Sequence, residues 1–67
     1  MNNEFTLKAL RVNKNLKQTE VAGIVGVSVS TIKNWESGMS FPKPKHIDKL
    51  CELYGISYDR IKFIPNT

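Results

Sequence analysis

Cysteine and histidine are almost absent from this chain of 67 residues, which has one of each, Cys51 and His46. A lone cysteine cannot form an internal disulfide, and the two residues fall short of the four ligands of a structural zinc ion. We therefore expect no metal and no cofactor, and a fold held together by packing alone. The same scarcity leaves no nucleophile beside a base, so the sequence does not predict an enzyme.

Long apolar runs are also missing. None approaches the roughly 20 residues that cross a bilayer, and the first residues, MNNEFTLKAL, lack the apolar stretch of a signal peptide. The expected location is therefore the cytoplasm, with no membrane partner. A chain of 67 residues makes one small domain, which leaves little room for a large substrate cleft or a small-molecule site.

Acidic residues are fewer than basic ones: six Asp and Glu oppose ten Lys and Arg, which gives a formal charge of +4. Eight of the ten basic residues lie between Lys8 and Lys49, where only Glu20, Glu36 and Asp48 oppose them. The excess is therefore concentrated in the centre of the chain. Such a balance favours a polyanionic partner, although composition alone is weak support for one.

The first part of the chain has helical spacing. Leu7, Leu10, Arg11 and Lys14 follow the i, i+3, i+4, i+7 rule, and Asn3 is suited to cap the start of such a helix. Arg11 then lies on or beside the apolar stripe.

The segment GIVGVSVSTIKNWE, residues 23–36, can be interpreted in two ways. Its valines alternate with small or polar residues, which is typical of a strand with one buried face. Ile32 and Trp35, however, are three residues apart, as on one face of a helix. Gly26 suits the end of one helix and Ser28 the cap of the next, so we interpret the segment as two helices that meet at a turn.

Glycine and proline mark the other helix boundaries. The helix before Gly26 begins near Gln18, with Lys17 at its N-cap, where lysine cannot accept the free backbone N–H groups. Glycines at positions 38 and 55 end the third and fourth helices, and Pro44 fits the first turn of the fourth. Ser57 then caps a short fifth helix over residues 58–61, and the remaining residues form a tail.

Residues 18–38, QTEVAGIVGVSVSTIKNWESG, resemble the helix-turn-helix of the Cro and phage-repressor family, also called the XRE family, of bacterial transcription regulators. The segments LKALRVNKNLKQTE and HIDKLCELYGISYDRI are similar to its first helix and its last two helices. The resemblance implies an all-α fold, a compact lambda-repressor-like bundle of five short helices. Residues 1–62 would form the DNA-binding domain, with the helix-turn-helix at about 18–37, and residues 63–67 a C-terminal tail.

The third helix is the expected base reader. At about 100° per residue its polar side chains cluster opposite Ile32 and Trp35. The family reaches the major groove from the positions that match Val29, Ser30, Lys33 and Asn34. Asn34 can bond adenine bidentately, Lys33 can donate to guanine or to a phosphate, and Val29 can touch a thymine methyl. The alternative is that Lys33 and Asn34 form an ordinary solvated face.

Phosphate contacts would supply position and most of the salt-dependent affinity. The resemblance points to Gln18, at the start of the second helix, and other candidates lie at nearby helix ends and loops. They are Lys14, Lys17, Thr19, Ser28, Ser37, Lys43 and Lys45. For any one lysine, a solubilising charge is as good an explanation.

The resemblance also implies a structural ion pair between Arg11 of the first helix and Glu36 of the third. Near the C-terminus, Tyr58, Ile61, Phe63 and Ile64 are apolar beyond or within the last helix. They either fold back on the core or bury against a second copy, and we expect a homodimer on a two-fold double-stranded DNA site. The expected function is a Cro-like or repressor-like transcriptional regulator; the alternative is a protein-interaction module such as an antitoxin.

Overall fold

Four α-helices and a pair of two-residue parallel strands are the regular elements of the computed structural model, which describes residues 4–64. In chain order they are β1 (Phe5–Thr6), α1 (Leu7–Asn13), α2 (Gln18–Val25), α3 (Val29–Ser37), α4 (Pro44–Tyr54) and β2 (Ile61–Lys62). The longest described helix has 11 residues, and none is long and apolar enough to cross a membrane.

The first helix begins at Leu7, where the Thr6 hydroxyl accepts the backbone N–H of Ala9 at 3.1 Å. The predicted cap, Asn3, lies outside the described residues, and the helix starts later than predicted. The reason is a pairing between the two ends of the chain: Phe5 is in register with Ile61 in a parallel ladder. This pairing holds the residues before α1 in an extended conformation, which a local hydrophobic pattern cannot indicate.

The second and third helices meet at the predicted turn. α2 begins at Gln18 and ends at Val25, and the residue that caps its end is Gly26, whose φ of 85° is the left-handed conformation that glycine adopts without strain. The Gly26 N–H donates to the Ala22 carbonyl at 2.8 Å, which closes the helix end. Only Val27 and the cap, Ser28, separate this glycine from α3, so the valine alternation does not form a strand.

The start of α2 is capped in a way that the sequence analysis missed. The Lys17 side chain cannot accept a hydrogen bond, but the Glu20 carboxylate reaches back and accepts the backbone N–H of Lys17 at 2.8 Å. This is the acidic half of a capping box. The first turn of α2 is thereby fixed by its own third residue.

The fifth helix of the predicted bundle is not confirmed. Residues Tyr58–Arg60 form a single 3₁₀ turn, and the Ser57 hydroxyl makes no capping hydrogen bond to it. Ile61, predicted to end that helix, instead starts β2 and is buried beside the start of α1. The C-terminal segment therefore closes the fold as a strand, and the architecture is four α-helices with a small two-stranded sheet.

The core lies between the helices and includes side chains from all four of them and from β2. Its buried members are Leu7, Leu10, Val21, Ala22, Val25, Ile32, Trp35, Leu50, Tyr54 and Ile61. α2 packs on α3, which fixes the outward direction of the α3 polar side chains. Trp35 is buried at 6 % exposure, as its inward position predicts.

The single cysteine and the single histidine lie at the edge of this core. His46 is half-buried, with its ring centroid 5.3 Å from that of Trp35. Cys51 is half-buried, and burial raises the pKa of its thiol, which disfavours the reactive thiolate. Among residues 4–64 no group of three or more His, Cys, Asp or Glu side chains is placed to hold a metal ion.

Candidate nucleic-acid interface

The α3 helix is held rigidly at both ends and along its inner face. The Ser28 hydroxyl accepts the backbone N–H of Thr31 at 3.2 Å at the start, and Gly38, with φ 84°, ends the helix. Ile32 and Trp35 are 2 % and 6 % exposed and anchor the inner face in the core. The outer face is therefore presented in one fixed orientation.

The predicted base-reading residues divide into two groups. Ser30, Lys33 and Asn34 are exposed, as the helical geometry predicts. Val29 is half-buried and packs against the core, because it lies only about 60° around the helix from Ile32. It sits at the boundary between the buried and exposed faces, not on the outward face where the sequence analysis placed it.

Behind this outer face, Arg11 and Glu36 form an ion pair. Arg11 Nε donates to Glu36 Oε2 at 2.7 Å and Nη2 donates to Oε1 at 3.2 Å, with the two side chains 12 % and 7 % exposed. Arg11 Nη1 also donates to the Leu16 carbonyl at 2.9 Å. The hydrogen bond to Glu36 raises the pKa of Arg11, so the guanidinium stays charged, and α1 is joined to the end of α3.

The same carboxylate binds Gln18, the leading phosphate candidate. Gln18 Nε2 donates to Glu36 Oε1 at 3.1 Å, so the amide is turned toward α3 and one of its hydrogens is engaged. Gln18 is half-buried as a result. The amide has one remaining hydrogen and its oxygen for other contacts.

The other phosphate candidates are placed as follows. Ser28 and Ser37 use their hydroxyls locally, Ser28 at the α3 cap and Ser37 as a donor to the Asn34 carbonyl at 3.3 Å. The remaining candidates are exposed on helix ends and loops: Lys14, Lys17, Thr19, Lys43 and Lys45. These five exposed side chains flank the helix-turn-helix and donate no hydrogen bond to another described residue.

An open groove of about 370 Å³ adds a residue that the sequence analysis did not select. It runs between the start of α1, the start of α2 and the end of α3, and is lined by Lys8, Gln18, Lys33, Glu36, Ser37 and Ile64. Lys8 belongs to this face because it precedes Arg11 by three residues, about one helical turn. That spacing from the ion-pair arginine was the available signal in the sequence.

The predicted dimer contacts separate to three places in the structure. Ile61 is 6 % exposed in the core of its own chain, so it offers no surface to a second copy. Phe63 is half-buried against the core, with its ring between those of Phe41 and Tyr58, at centroid distances of 4.6 and 5.9 Å. Ile64 is 42 % exposed and lines the groove. The rest of the predicted tail, residues 65–67, lies outside the described residues.

Comparison with known protein families identifies the family to which this helical domain belongs. A family described as helix-turn-helix matches residues 7–61, which span α1 to the start of β2. The chain belongs to the helix-turn-helix family. The match confirms the Cro and phage-repressor type that the 18–38 segment predicts. α2 and α3 are therefore the two helices of the motif, and α3 occupies the place of its second helix.

Three relatives are similar over three quarters or more of the chain. The cryptic phage CTXphi transcriptional repressor RstR of Vibrio cholerae is 38 % identical over 75 % of this chain and 45 % of its own length. The antitoxin PezA of Streptococcus pneumoniae is 36 % identical over 78 % of this chain and 33 % of its own. The HTH-type transcriptional activator BcrR of Enterococcus faecalis is 31 % identical over 82 % and 27 %. The chain thus spans less than half the length of each relative.

Proposed function

We propose that this chain is a sequence-specific DNA-binding regulator of transcription that places α3 in the major groove. The observation that carries the proposal is the α3 surface itself: Ser30, Lys33 and Asn34 are exposed while Ile32 and Trp35 fix the helix from behind. A side-chain amide at such a position can bond adenine N6 and N7 together. The formal charge of +4 supplies attraction to phosphate.

The mode of regulation that we propose is repression by occupying an operator. The repressor among the relatives favours this mode, and another relative is named a transcriptional activator. Both modes require the same first step, selective binding to a duplex.

The test is to select binding sites from random duplexes and then repeat the selection with Asn34→Ala. We expect the variant to relax the preference at one base pair, by about 1 to 3 kcal/mol of discrimination. Asn13→Ala removes the same amide from the exposed end of α1 and is the matched control, which should select the wild-type site. An unchanged site with Asn34→Ala would refute the assignment of Asn34 to base reading.

A protein-interaction role is the second candidate, and the antitoxin relative, 36 % identical over 78 % of the chain, is the observation in its favour. The two candidates differ in how binding depends on salt and on sequence. A regulator binds one duplex far more tightly than others, with affinity that falls steeply as salt rises. Equally weak binding to every duplex would favour the interaction module.

For assembly, we propose a homodimer on a two-fold operator with half-sites about 34 Å apart. The surface that supports it is an exposed aromatic cluster, defined here as Phe41, Tyr58 and Phe63. Phe41 and Tyr58 are 58 % and 54 % exposed although their rings contact Phe63. A contiguous exposed patch of this kind is typical of an interface.

Sedimentation on a duplex with two half-sites tests the assembly. Two copies of the wild-type protein should bind this duplex cooperatively. Two copies of the Phe41→Ser variant should bind its half-sites independently. Val12→Ser removes an apolar side chain of 53 % exposure from α1 and is the control. Independent binding by the wild type would eliminate the proposed dimer and leave the base-reading assignment untouched.

A further inference from the structure

The groove between α1, α2 and α3 has an unbalanced charge. Its lining contains two ammonium groups, those of Lys8 and Lys33, and one carboxylate, that of Glu36. The carboxylate is already satisfied by Arg11 and Gln18, and its side chain is only 7 % exposed. Its charge is therefore compensated from the protein side, and the groove keeps a net positive character toward solvent.

Neither lysine has a structural use for its charge. Among the side chains of residues 4–64, no carboxylate forms an ion pair with Lys8 or Lys33. The other two polar groups of the lining are engaged in part, since Gln18 donates to Glu36 and Ser37 donates to the Asn34 carbonyl. The two ammonium groups are thus the charged donors of the groove that have no partner among the described residues.

The geometry of α3 places Lys33 on the groove side of the helix. Lys33 lies about 60° around the axis from Glu36, whereas Asn34 lies about 160° from it, toward the opposite flank. The two exposed polar residues in the middle of α3 therefore face different directions. If the bases of a duplex contact Asn34, a different part of the duplex lies at Lys33. The sugar-phosphate backbone borders the major groove, so it is the part that Lys33 would contact.

We propose that Lys8 and Lys33 together hold a backbone phosphate of the bound duplex in this groove. In this arrangement Lys33 positions α3 on the duplex, and Asn34 contacts a base. The proposal rests on the DNA-binding function proposed above and assigns its groove-facing contacts. It adds α1 to the binding surface, beyond the helix-turn-helix. It also moves Lys33 from base reading to phosphate binding.

The experiment measures affinity for the selected duplex as a function of salt, with Lys8→Gln and Lys33→Gln. Each variant should lower the slope of log K against log salt by up to about 0.9, the contribution of one phosphate, and should select the same site as the wild type. Lys49→Gln, an exposed lysine of α4 outside the groove lining, is the control and should affect the slope least. Thermal unfolding should be unchanged in all three because the replaced side chains are exposed.

Two outcomes overturn the proposal. A wild-type slope in Lys8→Gln would remove α1 from the binding surface, and a changed base preference in Lys33→Gln would return Lys33 to base reading. Both presuppose that the wild type binds one duplex selectively. If it binds none selectively, the proposed function itself fails, so the two failures are distinguishable.

Discussion

The Glu36 carboxylate joins three helices, because it lies on α3 and accepts hydrogen bonds from Arg11 of α1 and Gln18 of α2. A carboxylate and a guanidinium that are 7 % and 12 % exposed have lost most of their water, and each depends on the other for compensation. Removing either partner would therefore leave the other charge nearly buried without compensation. A single buried charge without a partner is more costly than the pair is favourable.

Replacing Glu36 with alanine should lower the free energy of unfolding by about 3 kcal/mol, because Arg11 would remain nearly buried without a counter-ion. Denaturant unfolding followed by circular dichroism measures the change. Glu52→Ala, which removes an exposed carboxylate from α4, should stay within about 0.5 kcal/mol of the wild type. An unchanged unfolding curve for Glu36→Ala would contradict the structural role of the pair.

Tyr54 is expected to make the stability of the folded protein depend on pH in the alkaline range. Burial, with a smaller contribution from Glu36, raises the pKa of Tyr54 to about 12 from its ordinary value of 10. The folded protein then keeps a proton that the unfolded chain loses, so stability present below pH 10 should decline as the pH rises from 10 to 12. Unfolding at a series of pH values should show a shallower decline in Tyr54→Phe. Tyr58→Phe, at a 54 % exposed position, should decline like the wild type.

Among the elements, α2 has the least favourable composition, since it contains Gly23 in its interior. This glycine has no positive φ, and a methyl group added to it would meet no atom within 4 Å. Its cost to the helix is therefore one of propensity alone.

Gly23→Ala should raise the free energy of unfolding by about 0.5 to 1 kcal/mol, because alanine loses less conformational freedom in a helix. Gly26→Ala is the matched change three residues later, where φ is 85°, and it should destabilise the protein. Thermal unfolding of the two variants should therefore shift in opposite directions. Equal shifts would mean that the end of α2 is not held in the left-handed conformation.

The elements also show what a sequence can predict. The ends of α2, α3 and α4 follow from glycine, serine and proline, because these residues act on the backbone next to them. The start of α1 and the fate of residues 58–62 depend on a pairing between the two ends of the chain, which leaves no periodic signal. The same holds for the site: the exposure of Asn34 follows from helical periodicity, whereas the Gln18 contact and the place of Lys8 require the packed helices.

At the scale of the whole molecule, the β1 and β2 pair holds the beginning and the end of the described chain together. Ile61 lies in register with Phe5 and is 6 % exposed, while Arg60 lies over the Phe5 ring with 5.8 Å to its centroid. The C-terminal segment is thus part of the core and of the groove wall. Of the residues predicted to form a tail, Phe63 packs against the core and Ile64 lines the groove.

Ile61→Ala should destabilise the protein by about 2 to 5 kcal/mol, the usual cost of emptying a buried isoleucine position. Ile64→Ala is the same change at a 42 % exposed position and should cost far less. Chemical unfolding of both variants measures the difference. Similar values would show that β2 is not integral to the core.

This strand pair also has a consequence for the order of folding. The α2 and α3 contacts are between neighbours in sequence, but the β1 and β2 pairing closes a loop of nearly the whole chain for two residues of ladder. Closing so long a loop is entropically costly, so we expect the pair to form after the helices and to open before them. Native-state amide exchange should therefore be faster at β1 and β2 than in α3. The start of α1, where Lys8 lies, would loosen with the strands while the α3 face that we propose to read bases stays folded.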